Sequence, residues 1–94
     1  MPTKQQDEQY TTTTQEGAKR QGRITAIGAH VLQVLGKPGD LQGVQVRPLW
    51  QAHYRVNVLV GADITSVRVA HSFFMVADDE GNVLRSAPEI TRQY

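Results

Sequence analysis

Between Gly43 and Ser86 apolar side chains occupy alternate positions with little interruption, and the alternation breaks at the turn-forming stretches Gly61 to Asp63 and Asp78 to Asn82. A period of two sends successive side chains to opposite faces of a strand, so the pattern predicts a half-buried antiparallel sheet. In the first strand Val44 and Val46 share one face, with Trp50 joining them if the strand runs on, and Gln45, Arg47 and Leu49 take the other. Pro48 has no N–H to donate, which predicts an edge position or a bulge. The second strand alternates most regularly: Tyr54, Val56, Val58 and Val60 against His53, Arg55, Asn57 and Leu59. Gln51 and Ala52 leave room between the two for only a tight connection or a bent continuous ribbon. A longer strand is predicted from Ser66 to Ala77. Asp79 to Asn82 then turn the chain into a short last strand, Val83 to Ser86, with Gly81 able to take a positive φ. Ala87-Pro88 ends it, and residues 89–94 are expected as an extended or frayed tail.

Ahead of the sheet the period changes. From Ala18 to Leu35 the apolar residues Ile24, Ile27, Val31, Val34 and Leu35 recur at three- and four-residue intervals, one stripe of an α-helix. Gly36 suits the left-handed cap and Pro38 forbids continuation. Gly22 and Gly28 each cost about 1 kcal/mol relative to alanine, so this helix depends on packing against the sheet. Lys19, Arg20 and Arg23 oppose the macrodipole in its first turns and read as solvated charge. One N-terminal amphipathic helix packed on a four-stranded antiparallel sheet makes a two-layer α+β domain, ordered α-β-β-β-β, over residues 18–88. Residues 1–17 are rich in Gln, Thr and charge and read as a flexible tail, since they bury too little to offset ordering. The other possibility there is an edge strand built on Tyr10 and the threonine run.

Composition narrows the function classes. Residues of the set AVILMFWYC make up 39% of the 94-residue chain and charged residues 20%, enough for one modest core. There is no cysteine, so burial alone must hold the fold, in keeping with a cytoplasmic setting. No signal-like or membrane-spanning run occurs, and no membrane partner is expected. The formal net charge is +1, a balance too mild for a dedicated polyanion binder.

Catalytic and metal-binding spacings are missing. His30, His53 and His71 do not fall at i, i+3 or i+4 on the helix or at i, i+2 on a strand, so no metal site is expected. Asp78, Asp79 and Glu80 lack the spaced ligands of a calcium loop and read as a solvated hairpin tip. Ser66, Ser72 and Ser86 have no nucleophile-elbow context, and the Gly36 to Asp40 run lacks phosphate-loop spacing. The expectation is a protein without enzymatic activity or cofactor.

What remains is the sheet face turned away from the helix. Leu49, Leu59, Phe74 and Val76 fall there if the alternation holds, an apolar patch that a second copy of the chain, as a homodimer, or a partner protein would cover. This is the leading reading. The alternative is a small nucleic-acid-binding domain using Arg47, His53, Arg55 and Arg68 on the same face, where arginine interleaved with aromatic groups suits phosphates and stacked bases.

Overall fold

In a computed structural model, which describes residues 15–94, one helix is followed by four antiparallel strands. Helix α1 spans Gln15–Leu35, and the strands are β1 Leu41–Pro48, β2 His53–Val60, β3 Arg68–Ala77 and β4 Val83–Ala87. The α-β-β-β-β order and the two layers agree with the periodicity. The helix begins three residues before Ala18, because Gln15, Glu16 and Gly17 are polar or small and carry no apolar phase that would mark their entry. The remaining residues expected as an N-terminal tail, and the alternative edge strand around Tyr10, lie outside the described residues.

The sheet is a meander with spatial order β1-β2-β3-β4. Ile27, Val31 and Leu35, one turn apart along α1, are fully buried against Tyr54, Val56, Val58, Phe73 and Met75. Leu41, Val44, Val46 and Val83 close the margins of this core. Gly36 takes φ +92° and donates its N–H to the Leu32 carbonyl at 2.9 Å, the cap its position implied. Gly28 sits over β1, where an added Cβ would meet Val44 and Val46 at an ordinary 3.7 Å.

Each strand pair carries one register shift. Gln42 is the extra residue of β1 against β2, Ala70 that of β3 against β2, and Leu84 that of β4 against β3. Strand β3 starts at Arg68 and not at Ser66, because Ile64–Ser66 form a 3-10 turn first. Asp63 caps that turn, accepting from the Thr65 N–H at 2.9 Å and the Thr65 hydroxyl at 2.6 Å. These bonds, the hydroxyl first, hold its carboxyl below the usual carboxylate range. In the last hairpin Asp78 accepts from the Asn82 amide side chain and from the Asn82 and Glu80 N–H groups, and its pKa is lowered for the same reason. Gly81 adopts φ +86° there, as the turn chemistry required.

Residues 88–94 run without regular secondary structure and are held on the helix side. The N–H groups of Gln93 and Tyr94 both donate to the Leu35 carbonyl, at 2.8 and 3.1 Å, and so satisfy the last turn of α1. The Tyr94 hydroxyl meets His71 Nε2 at 2.8 Å. Sequence alone suggested fraying because the segment has no period; its anchors are backbone donors and one tyrosine, which periodicity does not register.

Candidate functional site

Helix α1 covers one face of the sheet, and among the described residues no element covers the other, the open face. Residues paired across an antiparallel ladder share a face, so the register lays the open face out in rows. At the end nearest the β1–β2 and β3–β4 turns lie His53, Val76 and Arg85; the next row holds Arg47, Arg55, Phe74 and Ala87. A third row is Gln45, Asn57 and Ser72, and a fourth is Gly43, Leu59 and Val69. Rows are separated by two residues, about 7 Å along the strands.

The β1–β2 turn brings two residues to the first row. Leu49 donates its N–H to the His53 carbonyl at 2.9 Å and so extends the ladder by one pair. Trp50 does not continue the Val44 and Val46 face. The strand stops at Pro48, Gln51 turns the chain with φ +51°, and the indole of Trp50 stacks on His53 with ring centroids 4.8 Å apart. It also lies 5.8 Å from the Phe74 ring, and His53 lies 5.5 Å from Phe74. The result is a cluster of three rings at one end of the open face, with Trp50 still 56% exposed. The Arg55 guanidinium carbon stands 5.8 Å from the Phe74 centroid, within cation–π range. His53 Nδ1 is 3.2 Å from the Trp50 carbonyl, which steadies the turn.

Across the third row the polar side chains bond to one another. Arg55 Nη1 donates to Ser72 Oγ at 3.4 Å, Ser72 Oγ to Asn57 Oδ1 at 2.7 Å, and Asn57 Nδ2 to Gln45 Oε1 at 3.1 Å. This row divides the apolar residues named from sequence. Leu49, Phe74 and Val76 come together beside Trp50, whereas Leu59 lies beyond the polar row with Val69, about 14 Å from Phe74.

The arginines are divided as well. Arg47 and Arg55 face each other directly across β1 and β2. Arg68 does not join them: the extra residue Ala70 reverses the alternation, and Arg68 pairs with Val60, whose side chain is in the buried layer. The register instead adds Arg85, opposite Val76. None of the face's row positions is an acidic residue. Among the described residues, acidic side chains flank the strands in sequence, at Asp40 before β1, Asp63 after β2, Asp78 to Glu80 after β3 and Glu89 after β4. Trp50 and Arg85 are the members that periodicity missed. The signal for Trp50 was Pro48 two residues before it, which ends the strand and makes its phase uninformative.

Elsewhere, a groove of about 420 Å³ lies between α1 and β4, with His30, Ser86 and Glu89 among its lining residues. No hydrogen bond joins any two of these three among the described residues, so no nucleophile is paired with a base there. His71 lies on the helix side, its ring parallel to Phe73. Among the described residues no three His, Asp or Glu side chains converge as metal ligands, and no helix is long and apolar enough to cross a membrane. Compared with protein-family models, curated proteins and solved structures, the chain matches none.

Proposed function

We propose that this protein is a non-enzymatic binding module that holds single-stranded nucleic acid against the open face of its sheet. The observation that carries the reading is the Trp50, His53 and Phe74 ring cluster flanked by Arg47, Arg55 and Arg85 on a face whose rows contain no carboxylate. The exposed Trp50 ring, backed by the half-buried His53 and Phe74, can accept the π-face of any base, and such stacking is worth about 1–3 kcal/mol per base. Guanidinium groups suit phosphate oxygens, and their charge draws a polyanion to the surface. Arg47 directly opposite Arg55 is a like-charge pair that costs stability in isolation and is relieved by an anion lying between them. Four rows span about 20 Å, room for a few nucleotides.

The same charge weighs against self-association through this face. Two copies meeting there would bring Arg47, Arg55 and Arg85 against one another with no carboxylate at the row positions to answer them. A second reading, docking of a partner protein, draws on Leu49, Trp50, Phe74 and Val76 at one corner, since tryptophan and arginine dominate the energetics of protein interfaces. Leu59 falls outside that corner. The lack of cysteine fits a reducing compartment such as the cytoplasm.

The test uses fluorescently labelled mixed-sequence oligonucleotides of about 16 nucleotides, with binding followed by the anisotropy of the label and, where Trp50 is present, by the emission of this sole tryptophan. Binding is expected at low salt, with quenching of Trp50 and steep weakening between about 50 and 200 mM salt. Replacing Arg47 and Arg55 together by alanine should weaken it about tenfold or more, as should Trp50→Ala. Absence of binding at the lower salt, or equal binding by the double variant, removes the nucleic-acid reading. If wild-type protein instead forms a heavier species that Trp50→Ala dissolves, the corner belongs to a protein partner or a second copy.

A further inference from the structure

His53 stands among the rings in a defined tautomer. The Trp50 carbonyl can only accept; it takes the His53 backbone N–H at 2.9 Å and lies 3.2 Å from Nδ1, so Nδ1 carries the ring hydrogen. The two nitrogens of an imidazole point apart, and Nε2 therefore faces away from that carbonyl. Among the described residues no hydrogen bond or ion pair reaches it. In the neutral ring Nε2 offers a lone pair, which repels a phosphate oxygen. Protonation turns it into a charged donor that a phosphate oxygen accepts. Imidazole is the side chain whose charge ordinarily changes between about pH 5 and 8.

The groups around His53 suit an anion shared with neighbours. Arg47 on β1 and Arg55 on β2 lie one row away, and Arg85 on β4 lies in the His53 row itself. Strand β3 presents Phe74 and Val76, neither of which titrates, and α1 packs on the opposite layer. The β3–β4 turn at this end of the face carries Asp78, Asp79 and Glu80, of which Asp78 is engaged by Asn82 and the Glu80 N–H. Glu89, after β4, lines the groove beside α1 together with His30. His71 is on the helix side, bonded to Tyr94. Of the three histidines in the chain, His53 alone belongs to the open face.

We infer that His53 is a proton-gated phosphate contact: nucleic acid binds the open face more tightly as the pH falls, because the imidazolium adds a further cation to Arg47, Arg55 and Arg85. This rests on the nucleic-acid reading of the same face and adds a regulation to it. A phosphate oxygen against Nε2 favours the charged ring by opposite charge and by accepting its hydrogen. Binding therefore takes up a proton, and by linkage affinity rises toward acid.

The experiment measures dissociation constants of the full chain for a thymidine oligomer of about 16 nucleotides. The oligomer carries a pH-insensitive dye and no terminal phosphate, which keeps the ligand's charge constant. Anisotropy is read over a salt series at about pH 5.5 and about pH 8. The wild type is expected to bind about tenfold more tightly at the lower pH. Its log affinity should also fall against log salt more steeply there, by about 0.7, the share of one more phosphate contact on a single strand. His53→Phe keeps a ring against Trp50 and Phe74 and should lose both differences. His53→Lys should hold the steeper slope at both pH values. Thermal melts at each pH control for folding, and the wild-type slopes carry the test if a variant does not fold. Equal wild-type slopes and affinities at the two pH values overturn the inference and leave the nucleic-acid reading intact, as does a His53→Phe variant that keeps the wild-type pH dependence. No binding at either pH removes the reading itself and the inference with it.

Discussion

Gly22 and Gly81 lack the same atom and carry opposite consequences. A Cβ on Gly22 would meet nothing within 4 Å, and the residue lies in the interior of α1. Gly22→Ala is therefore expected to stabilise the protein by about 1 kcal/mol by relieving backbone entropy. That raises the melting temperature by about 4–8 °C in a domain of this size. On Gly81 the added carbon would stand 2.8 Å from the Ala26 Cβ, at a φ of +86° that L-residues avoid. Gly81→Ala should lower the melting temperature by at least as much, and thermal melts of the two variants check both signs. Sequence marked Gly81 by its place in an acidic turn and Gly22 by its helical phase. It could not mark Gln51, which takes φ +51° because the turn after Pro48 demands it and no local chemistry announces it.

At the scale of elements, both sheet edges are blunted in the same manner. Strand β1 carries its extra residue, Gln42, at one end and Pro48 at the other. Strand β4 has its extra residue at Leu84 and is followed by Pro88. Bulges and prolines are devices that stop a further strand from adding. Pro48 pairs with Tyr54 on the only strand beside β1 among the described residues, and a proline is tolerated where its nitrogen points away from the partner strand, here toward the outer edge. Pro48→Val restores a donor on that edge. It is expected to shift the protein toward larger species in light scattering at a concentration where the wild type shows none of that shift; unchanged mass would show that Pro48 does not guard the edge. The missing N–H of Pro48 pointed to it as an edge or bulge residue. The three extra residues were not legible, because Gln42, Ala70 and Leu84 are ordinary in type and a bulge reveals itself only through the strand opposite.

For the whole molecule the layers divide the labour. The helix side is closed by the Ile27, Val31 and Leu35 stripe and by residues 88–94, whose last donors meet the Leu35 carbonyl, while the open side holds the rings and arginines. A chain ending at Arg92 loses both of those donors and the Tyr94 contact to His71. At about 1 kcal/mol for the net loss, it should melt about 4–8 °C lower. Oligonucleotide affinity should not change, since the segment lies on the opposite layer. A changed affinity would mean that the two faces are coupled.

Sequence by itself determined the helix stripe, the strands, the last hairpin and the two-layer class, because each follows from periodicities of 3.6 and two and from turn chemistry within a few residues. It also put Arg47 and Arg55 on the face opposite Val46 and Val56, with Phe74 able to join them, since alternation preserves phase along each strand wherever no bulge interrupts it. Only the tertiary structure decided what stands beside what. The Ala70 bulge moved Arg68 off the open face, the turn at Gln51 carried Trp50 onto it, and the register set Asn57 between Gln45 and Ser72. A one-residue slip between strands leaves local patterning almost untouched yet exchanges every neighbour across the ladder. A binding face made of neighbours is therefore fixed by register, which no single strand encodes.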